Sequence, residues 1–217
     1  MTQLSLKLKL VESQSDISKK ILDAIKAEIN KIMISVVLVL QQNIKKSLED
    51  KIKNSRTWQS LEEGKLRAEF GLPDDIATRL GEILEIWLRQ IDVDYKTVTG
   101  TTTLKGGITV GLLETDWNQV LSSDAAIIVT KYGTVLPWLE WLLTYGDKTI
   151  IQDYVVIMKP TPQSRSGMAI MAQQVGGQWR VPPEFSGTPD NNFITEILEG
   201  MGPEIELMIE KEFTNRL

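Results

Sequence analysis

Leu4, Leu6, Leu8 and Leu10 alternate with Ser5, Lys7 and Lys9 at the amino terminus. A period of two places all four leucines on one side of an extended strand. A terminal strand of this kind closes the edge of its own sheet or adds to a neighbour's sheet by main-chain pairing. From residue 16 to about residue 54 the period becomes helical, with Ser15 or Asp16 placed to cap. The apolar stripe runs through Ile17, Ile21, Leu22, Ile25, Ile29, Ile32, Met33, Val36, Val37, Leu40, Ile44, Leu48 and Ile52. Unbroken, such a helix is roughly 58 Å long, more than one small domain spans. Residues 34–39 are apolar on more than one side, which predicts a middle buried all round, by the rest of the chain or by another copy.

Residues 60–72 read as a short helix or turn punctuated by Gly64 and Gly71. Pro73, Asp74 and Asp75 open a further helix carrying Ile76, Leu80, Ile83, Leu84, Trp87 and Leu88, with the paired acids as its cap. Beyond Tyr95 the composition turns to β. Residues 97–103 are rich in threonine, Gly106 and Gly107 predict a bend, and residues 108–113 and 125–130 predict strands. Asp116, Trp117 and Asn118 lie between them in a loop or one helical turn. Residues 134–145 form a short helix after Pro137, ended by Gly146 and Asp147; residues 148–159 read as a mostly buried strand and 168–171 as another. A last helix runs from about residue 191 to 213, with Gly200, Gly202 and Pro203 as the place for a bend. Helices, then a small, mostly antiparallel sheet, then a closing carboxy-terminal helix make an α+β fold. The pattern divides into an arm at residues 1–15, a helical region at 16–95 and an α+β region at 96–217; one cooperative unit accommodates the same elements.

The stretch WRVPPEFSGTPDNNFITEIL joins the sheet to that last helix. Pro182 and Pro183 lack amide donors and stop the short strand 179–181. Gly187, Pro189, Asp190 and Asn191 supply the turn, and Asp190, Asn191 or Asn192 can accept from the first free helical amides. Trp179, Arg180, Phe185 and Phe193 around this bend are side-chain types that anchor protein interfaces. Trp138 and Trp141, three residues apart, share a helix face; the six tryptophans read as core, with intersubunit anchoring as the alternative.

The 217-residue chain contains neither cysteine nor histidine. Disulfides, thiolate zinc sites and the histidine-dependent acyl-transfer mechanisms are thereby excluded. No phosphate-binding glycine loop and no EF-hand spacing is present, and the clustered acids Glu62 with Glu63 and Asp74 with Asp75 fall at predicted helix starts. These features argue against an enzyme and imply no cofactor and no metal. The longest apolar run, residues 32–40, is far short of the ~20 residues needed to cross a bilayer, so no membrane partner is expected. Charge is divided along the chain. Residues 1–56 hold 11 Lys and Arg against 6 Asp and Glu, whereas residues 57–217 hold 13 against 23. Either the basic segment is a solvated helix face, or it lies on the acidic body of a neighbouring copy. A cytoplasmic adaptor or nucleic-acid-binding protein using the Lys-rich helix is a further reading of the same charges.

GKLRAEF, then PWLEWLLTYGDKTIIQDYVV (137–156), SRSGMAIM (164–171) and WRVPPEFSGTPDNNFITEIL follow one another along the chain. In this order the carboxy-terminal half resembles structural proteins of the head-to-tail joint of tailed bacteriophages, the neck or tail-completion family. Gly64, Leu66 and Arg67 look like the counterpart of a glycine-leucine-arginine segment that precedes the sheet in that family. Trp138 to Gly146 match its aromatic and acidic segment, and Pro189 to Phe193 its bend into the last helix. The long first helix and the leucine arm are departures from the simplest members. The resemblance implies a virion structural subunit without enzymatic activity, made in the host cytoplasm and forming a homo-oligomeric ring. Its partners would be the head-closure or connector and tail proteins, with DNA passing through the lumen without sequence-specific binding. A tail terminator ring is the close variant. The interface candidates are Leu4, Leu6, Leu8, Trp138, Trp141, Arg165, Arg180, Phe185, Asn191 and Phe193.

Overall fold

The computed structural model describes residues 13–111, 117–162 and 164–216. The predicted leucine arm, with the interface candidates Leu4, Leu6 and Leu8, lies outside the described residues, as does Asp116. Helix α1 is continuous over Gln14–Lys53, 40 residues or about 60 Å. It starts two residues before the predicted cap, because Ser13 and Asp16 form a capping box: the Ser13 hydroxyl accepts from the Asp16 amide at 3.2 Å while the Asp16 carboxylate accepts from the Ser13 amide at 3.3 Å. Ile32, Met33, Val36, Leu40, Ile44, Leu48 and Ile52 form its buried face. No residue of 14–31 is buried. Among the described residues the middle of α1 is not covered all round: Ile34 and Leu38 are 52% and 62% exposed.

Gly64 divides the next segment into α2 (Arg56–Glu63) and α3 (Lys65–Phe70), and the Ser60 hydroxyl accepts from the Leu66 amide across the break. Gly71 ends α3 in the left-handed conformation, φ +62°. There the Leu72 amide donates to the Arg67 carbonyl and the Gly71 amide to the Ala68 carbonyl, a Schellman motif. Helix α4 (Ile76–Arg89) follows, but the paired acids do not cap it. Asp75 has near-helical backbone angles that turn its carboxylate away from the free amides, and it pairs with Arg79 at 3.1 Å. Asp74 pairs with Arg67 at 2.7 Å.

Strands β1 (Asp92–Thr99) and β2 (Lys105–Gly111) form an antiparallel ribbon whose bend lies at residues 100–104, not at Gly106 and Gly107. Those glycines sit inside β2. A Cβ on Gly106 would come within 2.7 Å of Val98 Cγ2, so close strand approach, not turning, requires it. The ribbon lies along α1: Asn30 Oδ1 accepts from the Val98 amide at 2.7 Å, and Lys26 Nζ donates to the Gly100 carbonyl at 3.1 Å.

Then come α5 (Asn118–Leu121), a 3-10 turn (Asp124–Ala126), β3 (Ile128–Val129), β4 (Val135–Leu136), α6 (Trp138–Thr144), β5 (Ile151–Met158), β6 (Ala169–Trp179) and α7 (Phe193–Thr214). Of the strand predicted at 125–130, Ala125 and Ala126 belong to the 3-10 turn and Ile128 and Val129 to β3. The strand predicted at 168–171 extends to Trp179 and absorbs the start of the one predicted at 179–181. β5 is not mostly buried, since Tyr154, Ile157 and Met158 are exposed. Helix α7 continues through Pro203. The fold is α+β, and among the described residues the strands make three separate antiparallel ribbons, β1–β2, β3–β4 and β5–β6. One contiguous core joins α1 through α7 and contains all six tryptophans.

Leu40→Ala, at a fully buried position, should lower stability by about 2–5 kcal/mol. Ile25→Ala, on the uncovered first half of α1, should change it by less than about 0.5 kcal/mol. Urea unfolding with matched slopes measures both; equal losses would contradict the placement of residues 14–31 outside the core.

Candidate functional site

The segments that carry the resemblance meet at α3. The Phe70 ring lies 5.7 Å from that of Trp179 in an edge-on contact, 6.2 Å from Trp138 and 6.5 Å from Trp141, and Trp141 meets Trp179 edge-on at 5.7 Å. Such offset and edge-on pairs add about 0.5–1.5 kcal/mol each beyond the area they bury. Indole donors are satisfied at the margins. Trp138 Nε1 donates to the Ala125 carbonyl at 3.1 Å and Trp179 Nε1 to the Glu69 carboxylate at 3.0 Å.

Polar contacts hold the surrounding loops to this nucleus. Arg165 Nε donates to the Gly71 carbonyl at 3.1 Å and Nη2 to that of Phe70 at 3.4 Å, so the loop between β5 and β6 is clamped to the end of α3. The Gly146 amide donates to the Gly187 carbonyl at 2.8 Å, and the Gly187 amide to the Leu142 carbonyl at 3.0 Å. These join the end of α6 to the bend before α7. Asn192 caps α7 by accepting from the Ile194 and Thr195 amides, and its Nδ2 donates to the Thr188 carbonyl at 3.0 Å. A Cβ on Gly187 would stand 2.5 Å from that of Asn192, which leaves the position to glycine.

Trp138, Trp141 and Phe185 are therefore not free interface anchors: each is buried in this chain's own core, and Arg56 covers Phe185 with its guanidinium 5.1 Å from the ring centre. Phe193 is half-buried, edge-on to Trp87 at 6.2 Å. Arg165 is exposed over part of its surface but committed to the two carbonyls. Arg180 is exposed, 3.7 Å from Asp147, and Asn191 is exposed with its main chain bridged to Thr188. Sequence reasoning missed Glu69, for which no local signal exists; Gly71, read there as punctuation, is the left-handed end of α3.

Glu69 is the electrostatic outlier. Burial pushes its carboxyl above the ordinary glutamate value, against the Trp179 hydrogen bond and Lys65 at 3.8 Å, which pull the other way. Lys65 makes its closer pair with Glu184 at 2.8 Å, a bond that raises the lysine and lowers that glutamate. Burial lowers the Arg165 guanidinium without discharging it. Beside this network lies a shallow groove of about 480 Å³ lined by Arg56, Gln59, Glu62, Glu63 and Phe185. A second, of about 590 Å³, lies between α1 and α7 near Lys46, Lys51, Glu204 and Met208. Among the described residues no group of three or more Asp or Glu gathers in metal-binding geometry, and no helix is long and apolar enough to cross a membrane. Comparison of the chain with protein-family models, curated proteins and solved structures gives no match.

Two outcomes test the network. The folded chain holds the Glu69 proton more tightly than the unfolded chain does. The stability linked to it is thus complete below the ordinary value of 4.5 and is lost as pH rises through the raised value. Glu69→Gln keeps an acceptor for Trp179 and should flatten the stability profile between 4.5 and the raised value, with no loss at neutrality, as read by thermal unfolding across pH. Arg165→Ala should cost about 1–3 kcal/mol by urea unfolding, because two carbonyls lose a charged donor. An unchanged midpoint would show the clamp to be idle.

Proposed function

We propose that this chain is a virion structural subunit of a phage neck or tail-completion ring, joining head to tail around the path of the DNA. The observation that carries the reading is the meeting of the resembling segments. GKLRAEF supplies Phe70 and leads into Gly71, the 137–156 segment supplies Trp138 and Trp141, SRSGMAIM Arg165, and the last stretch Trp179 and Gly187, all in one nucleus. Motifs degenerate one by one gain weight when they build a single folded unit. Exposed apolar side chains on α1 and α7, Ile34, Leu38 and Leu207 among them, add surface for neighbouring copies. The acidic body disfavours adhesion of passing DNA by like-charge repulsion.

A tail terminator ring is the near alternative, built from the same surfaces but seated on the tail tube. Native mass measurement and electron microscopy of the purified chain should give a single closed stoichiometry, and imaging of virions should put the density at the head–tail joint. A monomer at all concentrations, together with its absence from purified particles, would remove the proposal.

A further inference from the structure

Helix α7 carries its acids on the side turned away from the core. Glu196, Glu199, Glu206 and Glu210 are exposed and recur at the three- and four-residue steps of one helix face, and none has an ion pair among the described residues. Leu207 lies within this stripe, 65% exposed. Gly200 and Gly202 flank it. Each glycine costs a helix interior about 1 kcal/mol relative to alanine. Nothing among the described residues requires them, since a Cβ on either would meet no atom within 4 Å. Bare backbone on an exposed helix side suits close approach by another helix.

Helix α1 has the complementary stripe. Lys31, Ile34, Leu38 and Lys45 share one side, and the exposed Ala24 and Ala27 extend it as small residues toward the amino terminus. Among the described residues Lys31 makes only a loose 3.7 Å pair with Glu28, both side chains being well exposed. Lys31 and Lys45 are fourteen residues apart, as are Glu196 and Glu210, about 21 Å in each helix. Both pairs of charges bracket exposed apolar side chains. Charge, spacing and shape therefore match between the two stripes.

Within one chain the stripes cannot meet. α7 covers the side of α1 that carries Ser47, whose hydroxyl donates to Glu204, and Lys51, 2.9 Å from the same carboxylate. Leu38 is nine residues from Ser47, about two and a half turns, and so points to the opposite side of α1. On α7, Met201 and Ile205 are buried and Leu207 faces outward. The two stripes thus lie on opposite flanks of the α1–α7 pair.

We infer that the Lys31–Lys45 stripe of α1 in one copy docks on the Glu196–Glu210 stripe of α7 in the next, a head-to-tail contact that repeats around the ring. The contact rests on the ring reading above and names how its subunits join. Two different surfaces meet, so the contact is heterologous and propagates until rotation closes it. A two-helix seam about 21 Å long is smaller than the ~800 Å² per partner of a standard stable interface, which suits a contact reinforced by closure over an isolated dimer.

The absence of cysteine makes the test direct. Leu38→Cys and Leu207→Cys are prepared as separate full-length variants, mixed, and treated with a short bismaleimide. The expected result is a covalent heterodimer from the mixture, at least tenfold above either variant alone and above a control mixture of Leu38→Cys with Tyr132→Cys, a residue 83% exposed elsewhere. Glu206→Lys with Glu210→Lys should abolish the product, and adding Lys31→Glu with Lys45→Glu to the other partner should restore it. Product no greater than the control, or a dominant symmetric dimer of the Leu38→Cys variant, overturns the contact. Rings seen by microscopy without the α1–α7 product discard this contact and keep the ring. The α1–α7 product from copies that never close keeps the contact and discards the ring.

Discussion

The packing of Phe70 against Trp138, Trp141 and Trp179 is the interaction on which the rest of the structure depends. Phe70 closes a six-residue helix, and a helix that short does not persist alone in water. It is held because the chain turns left-handed at Gly71, where the exposed carbonyls of Phe70 and Gly71 become acceptors for Arg165. Side chain and main chain at one position thus recruit different partners. The ring gathers α6 and the end of β6, and the carbonyls gather the loop between β5 and β6. Segments far apart in the sequence are fixed by that single helix end.

Much of this order is legible in the sequence, and the failures have specific causes. The helical period of α1 stands out because seven residues at helical steps are buried, and the α7 cap is written in Asn192. The bend before β2 is misplaced because Gly106 has a packing reason for being glycine, contact with Val98, that resembles a turn signal. Asp74 and Asp75 read as caps because the arginines that take them, Arg67 and Arg79, are set by tertiary geometry, and the backbone at Asp75, φ −82° and ψ 8°, is not the extended one of a capping residue. Trp138 and Trp141 are legible as one face of a helix, yet composition does not say whether that face turns inward or to a neighbour. Phe70, distant in the chain and unremarkable by itself, decides it.

Burying the tryptophans in the chain's own core changes where function has to reside. With all six tryptophans buried, the large rings left on the described surface are tyrosines, Tyr132 and Tyr154 among them. What is left outside includes Ile34 and Leu38 on α1 and Leu207 on α7, beside further exposed apolar side chains on the β3–β4 and β5–β6 ribbons. Residues 34–39 illustrate the division: Val36 is fully buried against the core, whereas Ile34 and Leu38 on the other side of the same helix have no cover among the described residues. A helix apolar on two sides has a second face that the described residues leave uncovered.

That arrangement bears on how the proposed subunit would avoid clumping before assembly. Ile34 and Leu38 are flanked by Lys31 and Lys45, and Leu207 by Glu206 and Glu210, so neither apolar site extends into the large contiguous patch that drives aggregation. Identical stripes repel, lysine against lysine and glutamate against glutamate, while unlike stripes attract. Charge therefore selects the head-to-tail pairing proposed above over both symmetric ones, and the apolar residues strengthen whichever pairing charge permits. A weak seam of this kind gives little stability to two copies but gains from closure, because the last subunit of a ring makes two contacts for one loss of rotational and translational freedom.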